Sequence, residues 1–439
     1  MYKSKKHLAA KLRRDNDVYN WIESYTHWPS GLSLLLQSEH ASLGNALQAA
    51  CAANSEGSVR LLINDPRCFI GKEHLELASL HPNQAIVDLI VDALIGRRKR
   101  LQDLALVHLP REVIDQLNIR TDTLLNVRAY EACTLLSARS VDLGNLLERH
   151  VWSVFDCFGI NIELASRLFE AGFRDVDAID EHNETCLTDL PRTTTISQLF
   201  ELNKLLQKSH WLISKGADVH HKGPSGSALH ILGHNVGCVL ESKNEAARHL
   251  EIQSLSNSSK ALLREILFDN TRDDCECACS LNGSSPLTAL LGGLFYSEIL
   301  WGKGEDCIQI LADLLTAVLD DSDTRSFEPY KNHLGAGILR FIIFQSLDLT
   351  HTCQQKNMGW RREMEFEEIQ EIHDEEKSGI LDLEGLLKQF LEDFEGQNMD
   401  LPTFITGPWR THMDSFLSSR TLSTEEISKV RETGVILYE

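Results

Sequence analysis

A short pattern of apolar residues occurs twice in the chain, and it limits what the chain can fold into. Four apolar positions recur at a constant offset of 28 residues. Residues three apart share one face of a helix, so each copy predicts two short helices. Neither helix buries its apolar face alone, and successive copies must therefore stack as a solenoid does. The pairs are Leu47 with Leu75, Ala50 with Ala78, Val59 with Val87, and Leu62 with Ile90.

A second pattern predicts the turns between helices. A glycine follows a helical run at Gly172 and again at Gly216, and a polar stretch comes next. Glycine readily adopts the left-handed conformation that ends a helix. Ser or Thr then precedes the next apolar run, as in residues 183–187, 227–230 and 283–287. These hydroxyl side chains are suited to capping the start of a helix.

These turns resemble those of the ankyrin repeat. Residues 212–219 read Leu-Ile-Ser-Lys-Gly-Ala-Asp-Val and are followed by Ala228-Leu-His230, while residues 283–287 are similar to the helix-start motif of that family. The 28-residue units are shorter than the usual repeat of about 33 residues. These shorter units are degenerate repeats. The resemblance implies an all-α fold, a degenerate ankyrin-like helical-repeat solenoid with an α-helical C-terminal extension.

A narrower resemblance covers most of the chain. Residues 28–32, 171–177, 274–280 and 349–353 resemble signatures of a group of uncharacterised ankyrin proteins of filamentous fungi. This resemblance implies no reaction.

The same patterns predict four segments. Residues 1–27 are expected to form a polar helix or tail, and residues 28–147 the degenerate N-terminal units. Residues 148–321 hold the clearest repeats, with an insertion near 239–259 that we expect to be a loop and a short helix. Residues 322–439 form the acidic helical extension, in which seven apolar residues make an amphipathic stripe that needs a surface. They are Phe366, Ile369, Ile380, Leu383, Leu387, Phe390 and Phe394.

Composition narrows the classes of partner. The net charge of −21 argues against nucleic acid, which requires clustered Lys and Arg. The basic run at residues 97–100 is interpreted as a solvated helix face. No apolar stretch is long enough to span a bilayer, and no secretory signal is evident. The eleven cysteines are accordingly predicted to be reduced and mostly buried, in an intracellular, cytoplasmic or nuclear, monomer.

The cysteines at residues 275, 277 and 279 form the densest chemical cluster. Zinc sites usually space their cysteines two to four residues apart, whereas here one residue separates them. The nearest complementary pair is His351-Thr-Cys353, far along the chain. Three interpretations stay open: Cys275, Cys277 and Cys279 as metal ligands, the same thiols as a redox site, or a turn with inward-packed small side chains.

No catalytic pattern is complete. His230 and His234 stand four apart, as in a metalloprotease helix, but the glutamate that would act as base is missing. The ankyrin resemblance instead implies that His230 hydrogen-bonds a neighbouring hairpin. Paired carboxylates near Glu367 and Asp374 are interpreted as a solvated helix face, although a catalytic module there remains an alternative.

The predicted function is therefore non-enzymatic protein binding, with no cofactor and with a protein partner that the sequence does not identify. The predicted binding residues lie at hairpin tips, where a solenoid varies its surface without disturbing the stack. They are Glu181, His182, Lys222 and Ser225. The alternative function is a metal- or redox-responsive scaffold that uses the cysteine cluster.

Overall fold

The fold is mostly helical, which confirms the predicted all-α class. Two strands of two residues each, β1 (Lys222–Gly223) and β2 (Gly226–Ser227), accompany the described helices. Within the described ranges no helix combines the length and apolar character that crossing a bilayer requires. The computed structural model describes residues 26–37, 43, 45–80, 83–147, 150–156, 161–180, 182–188, 201–223, 226–280, 282–295, 307–319, 324–353, 364–397 and 399–420.

The chain divides into two compact units. The first contains Met1–Pro191 and Gln207–Pro224, and the second contains Arg192–Leu206 and Ser225–Glu439. The helices that lie wholly in the first unit are α1 (Pro29–Leu36), α2 (Ala46–Ala52), α3 (Glu56–Ile63), α4 (Lys72–Leu80), α5 (Gln84–His108), α6 (Arg111–Gln116), α7 (Ala129–Ala138) and α8 (Ile162–Ala171). Helix α9 (Leu202–Ser214) carries residues of both units.

The repeated apolar positions form the inner faces of α2, α3, α4 and α5. Helix α2 packs on α3 and α4, and α5 packs on α3 and α4. The predicted helix pairs are thereby confirmed, although the second helix of the second pair is long, 25 residues. The side chain of Ala78 lies outside the described residues. The other anchors are all buried: Leu47, Ala50, Val59, Leu62, Leu75, Val87 and Ile90.

We had expected the basic run at residues 97–100 to form a solvated helix face. This expectation was wrong for part of the run. Arg98 is only 1% exposed. Its Nη1 donates to the carbonyl oxygen of Asn126 at 3.0 Å, and its guanidinium lies 5.4 Å from the ring centre of Trp152. The neighbouring Arg97 donates to the carbonyl of Cys68. Hydrogen bonds to backbone carbonyls and an aromatic face compensate for the desolvation of such a charge.

The second unit begins with helices that replace the predicted insertion. Helix α10 continues through Val239 to Glu241, and only three residues separate it from α11. The expected short helix corresponds to α11, and the expected loop is limited to three residues on either side of it, because Asn244 and Ser256 each cap a helix by accepting a hydrogen bond from its first turn. The helices are α10 (Ala228–Glu241), α11 (Glu245–Gln253), α12 (Asn257–Phe268), α13 (Pro286–Leu294), α14 (Cys307–Val318), α15 (Thr324–Ser346), α16 (Phe366–Glu375), α17 (Lys377–Gly396), α18 (Leu401–Thr406) and α19 (Pro408–Arg420).

Helices α10 and α13 approach each other unusually closely. A Cβ atom added at Gly237 or at Gly293 would collide with the backbone of the opposite helix. Glycine is needed at both positions because any larger residue would force the helices apart.

One local side-chain contact recurs at several helix starts among the described residues. A Ser or Thr side chain contacts the side chain three residues later, as Ser285 contacts Thr288 and Ser227 contacts His230. Thr185 and Thr188 make a similar contact in a turn of the first unit. The Nε2 atom of His230 lies 2.8 Å from the carbonyl oxygen of Ser284, which confirms the expected bond to a neighbouring hairpin.

Burial of His230 makes the stability of the second unit dependent on pH. Burial lowers the pKa of this imidazole, although the Ser284 carbonyl and Asp273 partly oppose the effect. In the unfolded chain this imidazole has its ordinary pKa of about 6.5. The unfolded state therefore takes up a proton at a higher pH than the folded state does. Stability from this residue is present above about pH 6.5 and is lost as the pH falls towards the folded pKa.

We expect His230→Gln to destabilise the protein by about 1–3 kcal/mol at pH 8, because the Ser284 carbonyl and Ser227 hydroxyl lose a buried partner. The difference in the free energy of unfolding between the variant and the natural chain should be smaller at pH 5.5. Urea unfolding of both proteins at the two pH values checks this. An unchanged difference would show that His230 does not titrate with folding.

The apolar stripe of the acidic extension is only partly covered. Leu383, Leu387 and Phe390 are buried, and α15 packs against α17. Phe390 also lies 6.3 Å from Trp409 of α19, measured between ring centres. Phe366 is 60% exposed, so the start of the stripe has no such surface.

Candidate metal centre

Two cysteines are presented by a hairpin loop between α12 and α13. Asp273 closes the loop: its N–H donates to the carbonyl of Ser284 at 3.1 Å, and its Oδ1 accepts from the N–H of Ser284 and of Cys275. Inside the loop, Ser280 N–H donates to the carbonyl of Cys277 and forms a turn. Cys277 and Cys279 are buried, with 1% and 2% exposure.

A second pair of ligand residues follows the end of α15. Asp348 has a φ of 54° and ends the helical run, after which the chain reaches His351 and Cys353. The carboxylate of Glu376 accepts hydrogen bonds from the N–H and hydroxyl of Thr350 and holds this segment beside the start of α17. Both pairs thus have a single residue between their members, and outside a helix residues two apart can point to the same side.

The four side chains converge on one point. One ligand atom each from Cys277, Cys279, His351 and Cys353 lies within 4.8 Å of all the others. Cys277 Sγ is 3.9 Å from His351 Nδ1, Cys353 Sγ is 3.4 Å from the same nitrogen, and Cys279 Sγ is 3.6 Å from Cys353 Sγ.

These separations fit the edges of a tetrahedron around one zinc ion. With Zn–S at about 2.3 Å and Zn–N at about 2.0–2.1 Å, two sulfurs stand about 3.8 Å apart and a sulfur and a nitrogen about 3.6 Å apart. The sulfurs of Cys279 and Cys353 are too distant for a disulfide, whose S–S length is about 2.05 Å. An iron–sulfur cluster would place bridging sulfides between its ligands and would require a wider set.

The imidazole of His351 is held in the orientation that metal binding through Nδ1 requires. Its Nε2 lies 3.2 Å from Gln345 Oε1, so the Nε2 proton has an acceptor while Nδ1 faces the thiols. The ring also packs against Phe344 and Phe341, with ring centres 4.6 and 5.4 Å away. Such support fixes the tautomer and the ring direction of a ligand histidine.

We expect Gln345→Leu to weaken metal affinity about 10–100-fold, because the Nε2 proton of His351 loses its acceptor. Gln345→Glu keeps an acceptor and should retain the affinity. Competition with a chromogenic chelator of known affinity measures both variants. Equal weakening in the two would mean that the shape of Gln345, and not its hydrogen bond, supports the site.

The thiols are arranged so that one of them ionises readily. Hydrogen bonds from Cys279 and then Cys353 hold the pKa of Cys277 well below its ordinary value. The pKa of Cys279 is raised, first by its hydrogen bond to Cys277, and that of Cys353 is raised, first by Cys275. The cluster therefore holds its first negative charge on Cys277, and a thiolate is the form that binds metal.

The structure brings two of the three predicted cysteines together. Cys275 stands outside the set of four, and its Sγ accepts a hydrogen bond from the N–H of Cys277 at 3.4 Å. His351 and Cys353 lie 74 residues beyond their partners. The sequence had marked His351 and Cys353 as the nearest complementary pair, but no local pattern indicated that they would meet the loop.

The predicted hairpin-tip residues do not contribute to this centre. His182 and Lys222 are exposed in the first unit, and the N–H of His182 donates to Asp180 Oδ1. The two tips are neighbours, since His221 Nε2 lies 3.4 Å from the carbonyl oxygen of Asn183. Glu181 and Ser225 lie outside the described residues.

Comparison with known proteins adds no relative. No family model matches the chain, and no curated protein or solved structure matches it significantly. The ankyrin resemblance therefore stays a prediction, and the chemistry of the centre has to be argued from its own geometry.

Proposed function

We propose that this protein is a helical binding scaffold whose second unit is stabilised by one structural zinc ion. The observation that carries the proposal is the convergence of Cys277, Cys279, His351 and Cys353 within 4.8 Å. Four protein ligands complete a tetrahedral shell and leave no position for a substrate, which is typical of structural and not of catalytic zinc. The ion joins the hairpin loop before α13 to the segment after α15.

The choice of zinc rests on the donor set. Three thiolates and one imidazole are soft and borderline ligands, and they disfavour Mg²⁺ and Ca²⁺, which take oxygen ligands. Such thiolates persist where cysteines remain reduced. An intracellular location, cytoplasmic or nuclear, is therefore part of the proposal.

The scaffold part of the proposal is supported by the way helices pack within the second unit. The same Ser contact with the third following residue occurs at the starts of α10 and α13, at Ser227 and Ser285. Close packing of α10 on α13 is how neighbouring helical repeats bury their apolar faces. The exposed tips at His182 and Lys222 are the proposed contact positions for a protein partner.

The deciding experiment measures metal content of the whole chain after purification without an affinity metal. We expect about one zinc per chain by plasma mass spectrometry. Cys277→Ser and Cys353→Ser should lose the ion, whereas Cys275→Ser should keep it because Cys275 is outside the set of four. Cobalt substitution should give the absorption of tetrahedral thiolate-bound Co²⁺. A natural chain without zinc, or loss of zinc in Cys275→Ser alone, would overturn the assignment.

The binding role has a separate test. A partner captured by the natural chain should be lost when His182 and Lys222 are both changed to alanine, while the Cys275→Ser chain should retain it. Unaltered capture by the double variant would move the proposed binding face away from these tips.

A further inference from the structure

A small cavity lies beside the candidate metal centre, within the second unit. Its volume is about 140 Å³, and its wall is built by the end of α12, the hairpin loop, α13, α15 and α17. A cavity of about 150 Å³ holds a molecule of the size of benzene, so an occupant of about six or seven non-hydrogen atoms fits. Cys279 contributes to the wall, but with four protein ligands on the proposed ion the occupant needs no bond to it.

Two arginines line this cavity, and the hydrogen-bonding capacity of their guanidinium groups is not fully satisfied. The side chain of Arg340 is 6% exposed; its Nε donates to the carbonyl of Ala278, and its Nη2 pairs with Glu384 at 2.8 Å. Its Nη1 is buried without a hydrogen-bond partner in the described structure. This Nη1 has less than 1 Å² of accessible surface, so Arg340 acts on the cavity through its nearby positive charge and not through a hydrogen bond.

Arg272 faces the same cavity and pairs with no carboxylate among the described residues. Its contacts are long and to neutral groups: Ser280 Oγ at 3.4 Å, the carbonyl of Gly283 at 3.3 Å and His333 Nε2 at 3.3 Å. A planar guanidinium matches a carboxylate through two parallel hydrogen bonds, which are stronger than these contacts. The hydroxyl groups of Ser280 and Thr288 also line the wall, and that of Ser280 donates to the carbonyl of Gly283.

The remainder of the wall restricts the kind of anion. Leu267, Leu287 and Leu334 supply an apolar surface, which favours an aliphatic body over a fully polar ion. Asp269 also lines the cavity, and its Oδ1 is engaged by the N–H of Thr271. This nearby negative charge disfavours a dianion such as phosphate more than a singly charged carboxylate.

We propose that this cavity binds a short aliphatic carboxylate, with its carboxylate group hydrogen-bonded to Arg272 near the charge of Arg340 and its alkyl end against the leucines. Entry is from the side of His333, which is exposed. The site goes beyond the proposed function, since it does not depend on whether the neighbouring ligands hold zinc.

The test uses the full-length protein and isovalerate as the probe, with binding followed by saturation-transfer NMR and titration. We expect saturable binding of isovalerate and about tenfold or weaker binding of isovaleramide, which has the same shape without the charge. Inorganic phosphate should bind more weakly than isovalerate. Stronger binding of phosphate, or equal binding of the amide, would overturn the assignment of a carboxylate.

Variants locate the site. Arg272→Gln should weaken isovalerate binding about tenfold or more, whereas Arg420→Gln, which alters an exposed arginine of α19 paired with Asp382, should leave it unchanged. Ala336→Leu fills the cavity from α15 while keeping both arginines and should abolish binding. Circular dichroism and urea-induced unfolding show that each variant is folded. Isovalerate binding that survives both Arg272→Gln and Ala336→Leu would place the ligand elsewhere and refute the proposal.

Discussion

Chelation of the zinc ion is expected to destabilise the second unit by about 4 kcal/mol when free zinc otherwise stands about a thousandfold above its dissociation constant. The proposed ion would join segments 74 residues apart in the chain, and an unfolded chain does not preform such a ligand set. Hydrogen exchange measured by mass spectrometry should show lost protection in residues 273–285 and 338–353. The helices α3 and α5 of the first unit should keep theirs.

The Cys277→Ser chain is the control for this prediction. It should already exchange rapidly in residues 273–285, and the chelator should change nothing further. If the natural chain loses its zinc without any change in protection, the ion is bound but does not stabilise the fold, and the structural role would be wrong.

Replacing Gly293 with alanine is expected to destabilise the protein by about 3 kcal/mol. A Cβ atom at this position in α13 would meet the carbonyl oxygen of His234 and, at 3.0 Å, the backbone nitrogen of Cys238, both in α10. Backbone atoms cannot turn aside as a flexible side chain can, so the two helices would have to separate and lose packing. Urea-induced unfolding of the full chain measures the change.

The adjacent Gly292 provides a matched control in the same helix. A Cβ atom there would meet no atom within 4 Å. Gly292→Ala should therefore stabilise the protein by up to about 1 kcal/mol through helix propensity alone. Similar effects of the two substitutions would show that α10 and α13 do not approach as closely as described.

The metal centre and the packing of α10 on α13 act on the same part of the second unit. The hairpin loop that carries Cys277 and Cys279 leads directly into α13, and its Ser284 carbonyl accepts the hydrogen bond of His230 in α10. Zinc at the loop would thus hold the start of α13 in the position that the close helix contact requires. This arrangement gives a physical reason for a structural ion in a unit that already has an apolar core.

The candidate site was only half predictable. The Cys277 and Cys279 pair is conspicuous in the sequence, but Cys275 is equally so, and nothing local distinguishes a ligand from its neighbour. The carboxylate cavity is less predictable still, because its arginines, Arg272 and Arg340, come from segments that the sequence does not relate. Such sites depend on contacts between distant segments, and a local pattern contains no information on those.

Features that depend on nearest neighbours along the chain could be predicted from the sequence. The helical class and the apolar faces of α2 to α5 follow from residues three apart, and the capped helix starts follow from Ser or Thr beside an apolar run. Tertiary structure alone decided which charges are buried, as at Arg98, and which cysteines meet a histidine. The physical reason is that helix formation and capping act within one or two turns, whereas desolvation and metal coordination depend on whatever segment packs opposite.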